Sequence, residues 1–79
     1  MTREVVPLYN LPVGSSGRVK ELVTQGNARR RMLDLGLISG TNVEALLKSP
    51  AGDPVAYQFR GAVIALRSEE ASKILVEIC

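Results

Sequence analysis

The sequence predicts a small, mainly β domain in which about five short strands curl into one barrel carrying two short helices. Three observations lead there. Apolar residues recur mostly at every second position, the period of a half-buried strand. Gly, Pro and Asp separate the alternating stretches, where turns need them. Finally, 79 residues hold one thin core and not two full sandwich sheets, so one bent sheet closing on itself is the economical way to limit exposed edges.

The elements follow in chain order. Leu8 to Gly14 is a lead-in too broken by Pro12 and Gly14 to be a central strand. Gly17 to Thr24 is a strand whose Val19, Leu22 and Val23 break strict alternation, which predicts a bulge. Asn27 can cap a helix running to Leu35, with Ala28, Met32 and Leu35 as its apolar stripe and Gly36 as its left-handed terminator. Asn42 to Lys48 and Pro54 to Arg60 alternate around the Ser49-Pro50-Ala51-Gly52-Asp53 loop and form a hairpin. Gly61 marks a bulge or sharp bend into Ala62 to Arg67. Ser68 can cap a second, very short helix whose Glu69 and Glu70 suit the positive end of its dipole. Ile74 to Ile78 is the last strand. The expected core is Val19, Met32, Leu35, Val43, Leu47, Val55, Tyr57, Phe59, Ile64, Leu66, Val76 and Ile78, and the pattern as a whole is that of an SH3-like barrel.

Composition narrows the function. Ten Lys and Arg against eight Asp and Glu give a net charge of +2, too mild an excess to signal nucleic-acid binding by itself. No His and a single Cys leave out a zinc finger, a disulfide framework and any His-based catalytic dyad. A small chain without disulfide staples suits a reducing compartment, so a cytoplasmic location is expected. The first residues show no apolar signal region, and the longest apolar run, Ala62 to Leu66, falls far short of the ~18 residues of a membrane span.

Few residues can carry chemistry. Transition-metal ions favour imidazole, carboxylate and thiolate ligands. Here the carboxylates are scattered, adjacent Glu69 and Glu70 diverge by about 100° on a helix, and Cys79 stands at the last position. No metal site, cofactor or catalytic residue is expected. Gly14-Ser15-Ser16-Gly17 has the form of a nucleic-acid-gripping loop, but that loop belongs between two helices; turn chemistry explains it better. The Arg29-Arg30-Arg31 run is the best binding candidate. On a helix its guanidinium groups fan around most of the circumference, so a solvated surface explains them as readily as a docking role. Leu33 lies away from the apolar stripe and offers an exposed apolar anchor among arginines, the composition of a binding hot spot. Arg60 and Arg67 extend this positive surface if they face the same side.

The stretch from Arg29 to Thr41, with Gly52-Asp53-Pro54-Val55, with Arg60-Gly61 and Ala65-Leu66-Arg67 before Glu70-Ala71, and with the opening Leu8, Leu11-Pro12, Gly14, Gly17 and Val19, resembles the ferrous iron transport protein A (FeoA) family. The pieces occur in the family's order along nearly the whole chain. Met32 stands where Leu is commoner and Ser39 where Pro is frequent. The resemblance implies a cytoplasmic, non-enzymatic accessory protein of bacterial ferrous iron uptake. Its implied partner is the large membrane iron transporter with a GTPase domain (FeoB), with weak self-association as a further possibility. The alternative is a small-barrel nucleic-acid or metal-dependent-repressor module, whose C-terminal barrel has a similar turn pattern. Its stacking platforms would have to come from Tyr9, Tyr57 and Phe59, and alternation turns the last two inward.

Overall fold

The computed structural model describes residues 4–78. Six strands form one antiparallel sheet: β1 (Val5–Pro7), β2 (Ser16–Leu22), β3 (Asn42–Lys48), β4 (Val55–Phe59), β5 (Ala62–Leu66) and β6 (Ile74–Ile78). Helix α1 (Gly26–Leu35) joins β2 to β3, and α2 (Ser68–Ala71) joins β5 to β6. The strand order is β1-β6-β2-β3-β4-β5. The sheet is the bent, SH3-like barrel that the alternation predicts, with one strand more than expected. β1 pairs Val5, Val6 and Pro7 with Glu77, Val76 and Leu75; at three residues it is too short to show a period. The ladder does not join β5 to β1 among the described residues, so two sheet edges persist where closure was expected to remove them.

The core gathers Val19, Met32, Val43, Val55, Tyr57, Phe59, Leu66 and Val76 as expected. Leu47 is a correction. The register slips between Ala45 and Leu47, so Ala45 opposes inward Tyr57 while Leu47 opposes Ala56, and Leu47 ends 66% exposed on the outer face. One inserted residue reverses every side chain beyond it. Leu35, Ile64 and Ile78 are only half-buried at the margin of the core. Their places are taken by Leu8, Leu11, Leu37, Ala45 and Ile74. The lead-in forms a 3₁₀ turn (Leu8–Asn10) that drives Leu8 under Tyr57, whose hydroxyl donates to the Leu8 carbonyl at 3.4 Å. The Tyr9 hydroxyl donates to the Gly52 carbonyl at 2.7 Å, tying the lead-in to the β3–β4 loop.

The bulge expected in β2 lies between Val19 and Glu21. The two helix starts differ in detail from the expectation. Gln25, not Asn27, precedes α1, and no side chain caps it. Arg67, not Ser68, precedes α2. The Ser68 N–H is taken by the Asp53 carboxylate at 2.7 Å, and Glu70 accepts from the Arg67 N–H at 3.2 Å. Gly61 is the sharp bend expected there, in the form of a tight hairpin turn. Phe59 pairs with Ala62, leaving Arg60 (φ 54°) and Gly61 (φ 78°) as the two central residues of the turn. Positive φ at both is the requirement of a type I′ hairpin.

Candidate protein-docking site

Helix α1 ends in a Schellman arrangement. Gly36 takes φ 100°, its N–H bonds the Leu33 carbonyl at 3.0 Å, and the Leu37 N–H reaches back to the Met32 carbonyl at 3.0 Å. Such a cap satisfies carbonyls the last turn would otherwise strand. It also drives Leu37 into the core and turns Ile38 outward. The segment beyond is bolted to β2: the Gly40 N–H bonds the Val19 carbonyl and the Val19 N–H bonds the Thr41 carbonyl, both at 2.8 Å. Thr41 Oγ1 donates to the Gly36 carbonyl at 2.9 Å. The turn after α1 is thus held rigidly, and rigid display is what a binding surface needs.

Leu33 (39% exposed) and Ile38 (44% exposed) stand on either side of this cap. Both line a shallow groove of about 170 Å³ together with Lys20, Leu22, Arg29 and Ser39. The three arginines have different fates. Arg29 Nη1 donates to the Leu22 carbonyl at 3.3 Å, closing the end of β2. Arg31 pairs with Glu70 of α2. Arg30 is exposed and makes no hydrogen bond or ion pair among the described residues. The helical fan therefore leaves one unspent guanidinium, three residues before the exposed Leu33. The expected stripe is reduced to Met32: Ala28 is exposed and Leu35 half-buried.

Arg60 and Arg67 do not extend one surface. Arg60 leaves the β4–β5 turn and lies over Gly36: a Cβ built on Gly36 would come 2.6 Å from Arg60 Cδ. With Ile38, Ser39 and Thr41 it lines a second open groove of about 430 Å³, which continues the Leu33–Ile38 face. Arg67 instead lines a larger cleft of about 570 Å³ between β5, α1 and α2, along with Ala28, Arg31, Ala65, Glu70 and Lys73. Sequence spacing missed Ile38 and could not place Arg60, because both positions follow from left-handed turns. A Gly four residues after an apolar-Gly step is the signal that points to such a turn.

Nothing among the described residues gathers three or more His, Cys, Asp or Glu side chains into a metal-binding group, and Cys79 lies outside them. Glu70 is committed to Arg31 and to the start of α2. The aromatic side chains offer no stacking platform, with Tyr57 and Phe59 buried and Tyr9 half-buried beneath Lys48, whose Nζ is 4.9 Å from the ring centre. Burial, helped by neighbouring Tyr9, pushes the Tyr57 phenol from 10.0 up to about 12. Tyr57 is a fully buried core residue. No described helix is long and apolar enough to cross a membrane.

The FeoA domain model matches residues 6–78. The solution structure of a FeoA-like protein from Clostridium acetobutylicum is 36% identical and superimposes with a TM-score of 0.88, covering 99% of this chain and 90% of that one. The zinc complex of Stenotrophomonas maltophilia FeoA, described as a prokaryotic SH3 domain protein, is 30% identical with a TM-score of 0.78, over 87% and 86% of the two chains. A curated relative, the Fe(2+) transport protein A/Fe(2+) transporter FeoB fusion protein of Porphyromonas gingivalis, is 31% identical over 71 residues; these are 90% of this chain and 8% of that protein. A manganese-dependent transcriptional repressor superimposes with a TM-score of 0.87 at 18% identity over 44% of its length, a likeness of fold alone. Matched along nearly all its length by the domain model and superimposable on solved FeoA proteins, the chain belongs to the FeoA family of ferrous iron transport.

Proposed function

We propose that this protein is a non-catalytic accessory factor of ferrous iron uptake that works in the cytoplasm by contact with a FeoB-like transporter carrying a GTPase domain. The observation that supports this best is the Porphyromonas gingivalis protein, in which a FeoA portion alignable with 90% of this chain is joined to FeoB in one polypeptide. Two proteins joined in one chain work at high effective concentration of each other, an arrangement that favours partners in contact. The docking face is the one built by Arg30, Leu33, Ile38 and Arg60 around the end of α1. An apolar pair beside a free guanidinium is suited to the centre of an interface. Arg29 and Arg31 belong to the scaffold of that face, and Arg67 lies off it in the cleft between the helices.

The test is co-purification of the tagged protein with the transporter from membranes, with Arg30→Glu and Leu33→Gln alongside. Both variants should keep near-native thermal midpoints and lose the partner. Should Leu33→Gln unfold the protein while Arg30→Glu still binds, the docking face lies elsewhere, and the cleft holding Arg67 is the next candidate.

A further inference from the structure

One buried polar side chain is left over from the fold. Thr24 and Thr41 are the buried polar residues among those described, at 8% and 9% exposed. Thr41 Oγ1 donates to the Gly36 carbonyl, whereas the Thr24 hydroxyl makes no hydrogen bond to any described group. A hydroxyl withdrawn from bulk water ordinarily has a partner, and an exception calls for an explanation. No polar side-chain atom is both sealed off and unpartnered among the described residues, so the Thr24 hydroxyl keeps an opening. The space it lines is the cleft between β5, α1 and α2. Backbone pairing fixes it there beside Lys73, because the neighbouring Val23 N–H bonds the Lys73 carbonyl at 2.8 Å.

Two cations of the same cleft are also unpaired. Arg67 and Lys73 line it and enter neither of the ion pairs among the described residues, Lys20–Glu77 and Arg31–Glu70. Arg31 lines the cleft as well, but Glu70 holds it, and that pair ties α1 to α2. With Glu69 included, three cations face two carboxylates, an excess of one positive charge. The rest of the wall is largely apolar, from Ala28, Pro54 and Ala65. No described aromatic residue lines it, so a nucleobase would find no stacking partner. No group of three metal-binding side chains forms among the described residues.

We infer that this cleft binds a small organic monocarboxylate. The carboxylate sits between Arg67 and Lys73 and accepts from the Thr24 hydroxyl, and a short apolar chain lies along Ala28, Pro54 and Ala65. Each part of the ligand answers an observation. One negative charge matches the excess of the cleft, whereas a second would face Glu69 and Glu70 without a cation of its own. A planar carboxylate suits the planar fork of a guanidinium. The volume, about 570 Å³, is that of a small-molecule site. The cations are exposed, so water competes for them and binding is weak and reversible. The inference is independent of the transporter reading, since the cleft lies off the docking face.

The experiment is titration of the full chain with sodium hexanoate, followed by amide shifts, with hexanamide and inorganic phosphate as parallel arms. Shifts should saturate at Thr24, Arg67 and Lys73 with a Kd on the order of 1 mM, within reach of so small a ligand. Hexanamide keeps the chain without the charge and phosphate keeps charge without the chain, so each should bind about tenfold more weakly or worse. Arg67→Gln and Lys73→Gln alter exposed side chains, and each should weaken hexanoate about tenfold through one lost charge-assisted bond. Thr24→Val should keep the thermal midpoint, since that hydroxyl supports nothing in the fold, and weaken hexanoate about fivefold. No saturable shift up to about 20 mM hexanoate overturns the inference. So does hexanamide or phosphate binding as tightly as hexanoate, or hexanoate binding unchanged in the Arg67 and Lys73 variants. A blocked tripeptide with a free leucine carboxylate is the last arm. If it binds more tightly than hexanoate, the ligand is a protein C-terminus and the small-molecule inference falls.

Discussion

At the scale of single residues, Gly36 shows how one position joins two parts of the molecule. Its φ of 100° is a left-handed conformation, and the Arg60 side chain fills the space where a Cβ would be. Gly36→Ala should cost about 1–2 kcal/mol from the backbone alone. Arg60→Ala in the same chain should restore only the part due to crowding, because the dihedral strain stays. Urea midpoints of the two variants measure that difference. Leu66 is fully buried in the core, and Leu66→Ala should cost about 2–5 kcal/mol, a large share of the stability of so small a domain. An unchanged midpoint and slope would contradict its place there. Tyr57 supplies a pH signature. Its phenol is held up to about 12 in the folded protein against 10.0 ordinarily, so the folded state keeps a proton that the unfolded chain gives up. Its contribution is complete below about pH 10 and disappears as pH rises through about 12. Between these values the native protein should lose stability more steeply than Tyr57→Phe does, as read from denaturation at a series of alkaline pH values.

At the scale of elements, α2 is four residues long and survives because other elements hold it. The Asp53 carboxylate takes the Ser68 N–H, and Ser49 Oγ accepts from the Asp53 N–H at 3.0 Å, so the β3–β4 loop caps a helix fifteen residues further on. Asp53→Ala should cost about 1 kcal/mol, in the range of an N-cap loss, with the change in amide exchange concentrated at Ser68 to Ala71. The Arg31–Glu70 pair, by contrast, is largely solvated on the Arg side; such pairs contribute about 0–1 kcal/mol, and Arg31→Ala should leave the midpoint nearly unchanged. The capping role of Asp53 was hidden in the sequence. A Gly-Asp-Pro step reads as turn chemistry, and nothing in it tells which distant N–H the carboxylate will meet. The α1 terminator was legible, because Gly36 after Leu35 has a local cause.

At the scale of the whole molecule, the donor supply sets an expectation about metal. With no His, scattered carboxylates and Glu70 already engaged, the monomer should retain no stoichiometric Fe(II) or Zn(II) after dialysis at neutral pH. Metal analysis of the dialysed protein checks this, and retained metal would point to carboxylates or Cys79 meeting between copies. The Stenotrophomonas maltophilia relative was solved with zinc, which makes the comparison worth carrying out on both proteins.

Alternation and turn residues determined from the sequence alone that this is a small β barrel with two helices, where α1 ends, and that Tyr57 and Phe59 face inward. Those properties have local causes: side-chain period, capping and left-handed glycines act within a few residues. Tertiary structure decided the rest. The bulge in β3 sent Leu47 outward, the lead-in became core because Tyr57 lies over Leu8, and the three arginines were divided between a β2 carbonyl, Glu70 and solvent. Only the strand order showed that β5 is an open edge. Each of these depends on which distant segment arrives at a given backbone or guanidinium group, and hydrophobic periodicity carries no information about that.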